Sequence, residues 1–209
     1  MNLDFYNLNA LKIELEELPP THRIAFAASI CERLLPNYNI FAEQEASGNP
    51  AALRLSLDEV WQILQGKPAD AERISQLLKD TDAAGPDADN VTKSQYCYEA
   101  QEACSAIYFL LEACIEPTSQ RVIKVVGRVR DTIDAFITCE EETINPSWSE
   151  KPLEENKMEI ASHPFAVREM AKQGEDLQRL KEVESLEEGF LEWLRTSSYN
   201  NGTSLIGLS

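Results

Sequence analysis

Glycine is scarce in this chain, eight in 209 residues, and none are spaced as GxGxxG or GxxxxGKS/T. A phosphate-cradling loop needs closely set glycines so that backbone amides converge on one anion, so loops of those kinds are excluded. Gly66-Lys67 reads as a helix stop, and the run from Gly202 to Gly207 is one residue too long for a nucleophile elbow. Histidine is scarcer still. A Ser, His and Asp triad has only His22 and His163 to draw on, and each reads better as a partner at a helix end. Pro19 and Ile160 stand three residues before them, so the Glu-x-x-His pairs of a di-iron bundle are absent. Cys31, Cys97, Cys104, Cys114 and Cys139 are an odd number with no CxxC pair, which excludes structural zinc and reads as reduced thiols. The longest apolar run, Ala106 to Leu111, stops at Glu112, far short of a membrane span. Basic residues are few: 19 Lys and Arg against 36 Asp and Glu give a net charge of -17. That balance excludes phosphate-backbone binding and docking on anionic membranes, and leaves a basic partner, a cation or simple solubility.

What is present is helical periodicity, with no period-2 strand, so an all-α fold is expected. Hydrophobic residues at 43% and charged residues at 26% suit one well-cored domain over 1–196, followed by a Ser/Asn/Gly-rich tail over 197–209. About seven or eight helices are expected. The first covers Leu8 to Leu18 and ends at Pro19-Pro20. Thr21 is placed to cap the next, whose body from Ile24 to Cys31 is apolar or small all round. A helix without a polar face must be surrounded, so a buried central helix over about 22–35 is expected. Pro36 predicts a kink or restart there, with Tyr38 and Phe41 on the next piece. Asn49-Pro50 opens a helix with Leu53, Leu57, Val60, Trp61 and Leu64 on one face, and a shorter helix spans Ala71 to Lys79. The loop from Thr81 to Asn90 begins like a calcium loop at Asp87 and Asp89, but Val91 and Thr92 stand where a ligand and a glycine are needed. A long antiparallel hairpin follows over about 92–142, turning at Glu116 to Ser119. A short helix covers Leu153 to Ile160, and Pro164 opens a long C-terminal helix over about 164–196.

Charge is placed unusually on the hairpin. Its second helix begins with Arg121, Lys124, Arg128 and Arg130 and ends with Glu140, Glu141 and Glu142, the reverse of what the helix dipole favours. Antiparallel pairing brings Glu112 and Glu116 beside Arg121 and Lys124, so an internal ion-pair ladder is expected. The same pairing gathers Glu99, Glu102, Asp134, Glu140, Glu141 and Glu142 at the other end, a candidate surface for a cation or a basic partner. It also sets Cys97 and Cys139 at one level. On the central helix Glu32 and Arg33 point about 100° apart and cannot satisfy each other, so each needs its own partner. With Tyr38 and Trp61 they are either a structural clamp or the lining of a pocket.

The run Cys31-Glu32-Arg33-Leu34-Leu35-Pro36-Asn37-Tyr38, closed by Phe41, resembles the signature of the YjaG-like proteins, a bacterial family of unknown function. Trp61, Ala103-Cys104, Pro164 with Glu169 and Gln173, and Gly202, Ser204, Ile206 and Gly207 follow in matching order across essentially the whole chain. The chain departs from the pattern at Leu205, where the resemblance implies Asn, and in the basic stripe at 121–130. The resemblance implies an all-helical, cytoplasmic, single-domain protein and carries over no catalytic residue. Cytoplasmic placement also follows from an opening stretch without the basic start and apolar core of a secretory signal, which leaves the sequon at Asn201-Gly202-Thr203 without meaning.

The expected function is therefore non-enzymatic binding of another protein, with no cofactor, metal, nucleic acid or membrane. Its narrower forms are a homo-oligomer and an inhibitor of a basic partner. The alternative is a small-molecule or cation-binding protein, or an enzyme, with its pocket near Glu32, Arg33, Tyr38 and Trp61.

Overall fold

The computed structural model describes residues 3–90, 93–198 and 202–208. Val91, Thr92 and Asn201, discussed above, lie outside the described residues. Among the described residues lie nine α-helices and no strand: α1 (Leu8–Glu16), α2 (Pro20–Glu45), α3 (Pro50–Leu64), α4 (Ala71–Ala83), α5 (Cys97–Ile115), α6 (Ser119–Ile144), α7 (Leu153–Ser162), α8 (Pro164–Glu182) and α9 (Glu188–Ser198). The fold is all-α, as the periodicity predicts. No described helix is long and apolar enough to cross a membrane.

α2 is the centre, packed against α3, α5, α6, α8 and α9. Every residue from Ile24 to Leu35 on it is buried. Thr21 does not cap it. Pro19 and Pro20 supply the start from their fixed backbone angles, and the Thr21 hydroxyl lies 3.3 Å from His22 Nδ1 instead. Nor does the helix stop near 35; it runs through Pro36 to Glu45. An internal proline costs about 3 kcal/mol, and burying one large apolar side chain returns about 1.5–3 kcal/mol. Leu35, Tyr38 and Phe41 are all buried, which is enough to hold the turn after the proline. The proline also removes an amide donor from the ladder, and nearby the Arg33 carbonyl accepts the Leu205 N–H at 3.2 Å.

The hairpin forms as expected, α5 against α6, and α5 is further enclosed by α2, α3 and α4. The expected single helix over 164–196 is instead two. Val183 is extended (φ -110°, ψ 138°) and its carbonyl meets His22 Nε2 at 3.1 Å, so α9 turns back to pack on α2 and buries Leu191 and Leu194. The described part of the expected tail is packed as well, with Ser204, Leu205 and Ile206 buried. Arg168 donates to the Leu205 carbonyl at 2.7 Å. Gly207 has φ +82° and lies against the Phe165 ring, which a side chain at that position would meet at 3.3 Å.

Candidate functional site

The three residues singled out on the central helix, Glu32, Arg33 and Tyr38, and Trp61 on α3 are all buried, and they do not share one site. Arg33 faces α8. Its Nε and Nη2 donate to the two carboxylate oxygens of Glu169, both at 2.8 Å, and its Nη1 meets the Ser29 carbonyl, Asp176 Oδ2 and Ser198 Oγ, each at 3.1 Å. Ser29 Oγ donates to the same Asp176 oxygen, Lys172 pairs with the other, and Gln173 donates to Glu169. Burial would depress the Arg33 pKa, but Glu169 and Asp176 outweigh it and hold the guanidinium above its ordinary value.

Glu32 faces the other way. It accepts from Trp61 Nε1 at 2.7 Å and from both Nη atoms of Arg54 at 2.7 and 2.8 Å, while Arg195 Nε lies 3.3 Å away. Arg195 also lies over the Trp61 ring, 5.7 Å from its centroid. So Glu32 and Trp61 meet, and Arg33 is separate from both. Tyr38 is separate again: its hydroxyl donates to the Ala84 carbonyl at 2.5 Å and accepts the Asn49 N–H at 2.9 Å, tying the start of α3 to the end of α4. Each of these groups has its partners inside the fold, the geometry of a clamp between helices. The partners Glu169 and Asp176 were legible in part, because Glu169, Gln173 and Asp176 interrupt the apolar face of α8 at helical spacing. Arg54 and Arg195 gave no such signal.

The hairpin carries most of the expected ladder. Arg121 pairs with Glu112 and Glu116, Arg128 with Glu102 at 3.0 Å and Asp131 at 2.9 Å, and Arg130 with Asp131 at 2.7 Å. Lys124 is the exception and lies over the Phe109 ring, 4.8 Å from its centroid. Both histidines serve helix ends, His163 by accepting the Phe165 N–H at the start of α8. All five cysteines are free thiols.

The acidic residues at the open end of the hairpin are not one surface. Glu99 and Glu102 are buried on the side of α5 toward α6, Glu102 met there by Arg128 and Glu99 facing Phe136 and Cys139. Asp134 accepts the Tyr6 hydroxyl at 2.9 Å. Of these acids only Glu140 and Glu142 are exposed, with Glu141 half-buried. Among the described residues no three His, Cys, Asp or Glu are arranged to hold a metal ion. Burial raises the Glu102 carboxyl to about 7 although Arg128 opposes the shift. Burial also raises Glu99, opposed only by its own backbone N–H, and Glu99 Oε2 has no hydrogen-bond partner.

Glu99 opens onto a cleft of about 270 Å³ between the start of α5 and the end of α6. Tyr96, Phe136 and Ile144 give it apolar walls, and Glu140 and Cys139 line it from α6. Cys139 thus stands level with Tyr96 and Glu99, on either side of Cys97. Ile144 is 78% exposed.

Comparison with known proteins places the whole chain. The sequence pattern of a family described as protein of unknown function (DUF416) matches residues 10–209. The uncharacterised protein YjaG of Escherichia coli K12 is 28% identical over 201 residues, 96% of either chain. An uncharacterised protein of Haemophilus influenzae Rd is 28% identical over 151 residues, 71% of this chain and 74% of that one. The crystal structure of a DUF416 family protein from Shewanella baltica OS155 superposes with a TM-score of 0.82 at 24% identity, covering 95% of this chain and 97% of that one, a likeness of fold. With the match running from the first helix to the last residue, the chain belongs to the DUF416 family of proteins of unknown function.

Proposed function

We propose that this protein acts by binding another protein rather than by catalysis, and that a basic, apolar-faced segment of that partner docks at the open end of the α5–α6 hairpin. The observation that carries the reading is the cleft itself: apolar walls from Tyr96, Phe136 and Ile144 beside the carboxylates of Glu99 and Glu140, in a chain of net charge -17. Apolar contact there gives affinity, and charge of opposite sign gives orientation and a fast encounter. A second copy of this chain is a poorer occupant, because it would bring the same acidic face to the same place. The occupation of both histidines at helix ends supports the non-catalytic side of the reading.

The test is fluorescence anisotropy with a labelled amphipathic Leu/Lys helical peptide and its Leu/Glu counterpart. Binding of the Lys peptide alone, weakened by salt and by Glu140→Lys or Ile144→Ser but not by the distant reversal Glu184→Lys, supports docking at the cleft. Equal response to Glu140→Lys and Glu184→Lys means the peptide only senses net charge, and the reading is lost. Binding of neither peptide, or of both alike, also removes it.

A further inference from the structure

We infer that the cleft at the open end of the hairpin is a lysine site: an ammonium on an unbranched alkyl stem, carried by the docking partner, pairs with the carboxylate of Glu99. The inference rests on the docking reading above and adds the side chain that is recognised.

Glu99 is the third residue of α5, a helix whose preceding residue, Tyr96, gives no side-chain cap. A carboxylate in the first turn is favoured by the exposed amides and the dipole there, which explains why the carboxylate meets its own backbone N–H. It does not explain the second oxygen. Glu99 is only 6% exposed, Oε2 has no hydrogen-bond partner, and no Lys or Arg among the described residues pairs with the group. A buried carboxylate left in that state is unfavourable, and burial raises its pKa accordingly. Glu102, one turn further along α5, has a cation where Glu99 has none, since Arg128 reaches it from α6, although its own Oε2 also lacks a hydrogen bond. No cation of the hairpin does the same for Glu99, and the cleft leads in from solvent to the Glu99 side chain.

Size and chemistry narrow the occupant. Pockets for free small molecules run from about 300 to 1,000 Å³. At about 270 Å³, with an open mouth at Ile144, this cleft suits one inserted side chain better than a whole cofactor. Tyr96, Phe136 and Ile144 provide apolar contact for a methylene stem while the charged head reaches the carboxylate, the usual way a lysine divides itself between apolar and polar surroundings. Arginine fits less well. A guanidinium binds a carboxylate through both oxygens, and Glu99 offers one, whereas an ammonium is a point charge that needs only one. Glu140 lines the same cleft and adds a second negative charge.

The test uses full-length protein and amide NMR shifts of residues 95–99 and 139–144, titrated with three probes: Nα-acetyl-lysine methylamide and its norleucine and arginine analogues. The lysine probe should shift these signals saturably, with the norleucine and arginine probes at least ~10-fold weaker. Glu99→Gln should abolish the response and leave the melting temperature within about a degree or two of wild type. Equal binding of norleucine, tighter binding of arginine, or an unchanged response in Glu99→Gln overturns the lysine site. A free diamine such as cadaverine binding more tightly than the lysine probe overturns it in favour of a free amine. The docking reading is tested apart from it. If the Leu/Lys peptide binds Glu99→Gln as it binds wild type and remains sensitive to Glu140→Lys, docking stands and the lysine site falls; if no peptide binds wild type, docking itself falls.

Discussion

Arg33 and Glu99 are both charged side chains more than nine-tenths buried on helices of the core, and their surroundings are opposite. Arg33 has two carboxylates, a carbonyl and a hydroxyl around it, and those carboxylates are held in turn by Lys172, Gln173 and Ser29. Glu99 has its own backbone amide and an oxygen without a partner. On the proposed reading, the contrast separates structural from functional burial of charge. A buried ion whose hydrogen bonds are complete holds helices together; one left incomplete at the floor of a cleft is a place for something else to bind. By that measure Glu32 and Arg33 on α2 have the geometry of a clamp, and the proposed docking place is the hairpin end.

The sharpest way to break this comparison is to remove both charges. Arg33→Leu leaves Glu169 and Asp176 buried without their main cation, and should lower stability to urea by about 3–5 kcal/mol. Glu99→Gln should change it by less than ~1 kcal/mol in either direction, since it removes an unpaired charge. Equal losses in the two variants would show that Glu99 is as structural as Arg33.

Next in size is Tyr38→Phe. The hydroxyl alone links the Asn49 N–H to the Ala84 carbonyl, and both would be left unpaired in a part-buried place, at a cost of ~2 kcal/mol. A loss below about 0.5 kcal/mol would mean that water takes over both contacts and that the clamp ends at Arg33.

The hairpin end has its own titration. Glu102 has a folded pKa of about 7, above its ordinary 4.5, so the folded protein binds this proton more tightly than the unfolded chain. The resulting stability is fully present below about pH 4.5 and is lost as pH rises through about 7. Glu102→Gln fixes the neutral form, and its amide oxygen still accepts from Arg128. The variant should match wild type near pH 4 and exceed it by ~1–2 kcal/mol near pH 8, after discounting for partial solvation. A difference between the two proteins that does not vary with pH would remove Glu102 as the titrating group.

How much of this was legible depends on how far apart the partners lie. The central helix could be read because its residues from Ile24 to Cys31 have no polar face, which is a local property. That Glu32 and Arg33 needed separate partners followed from helix geometry alone. Continuation through Pro36 could not be read, because what holds the turn after it is the burial of Leu35, Tyr38 and Phe41 against elements distant in sequence. The break at Val183 was hidden by an apolar stripe that runs on through Leu186 and Phe190. Glu99 looked like surface for a similar reason: the hairpin pattern gathers it with the other acids, but nothing local shows that Tyr96 and Phe136 stand around it.

Two residues of the closed region do not obey the contrast, Gln173, whose Oε1 has no hydrogen-bond partner, and Asn37, and testing Asn37 sharpens the whole comparison. Asn37 sits on α2 one turn beyond Arg33, fully buried, and neither its amide oxygen nor its nitrogen has a hydrogen-bond partner. Nothing in its surroundings accounts for an amide there. If it is only an unsatisfied polar group, Asn37→Leu exchanges it for an apolar side chain of similar size and should raise stability by ~1 kcal/mol, seen as a higher urea midpoint at unchanged slope. A loss of that size instead would mean that the amide makes contacts in solution which the packed side chains around it do not supply. The signature run would then hold an incomplete polar group of its own, and the division between a closed clamp on α2 and an open site on the hairpin would have to be redrawn around Asn37.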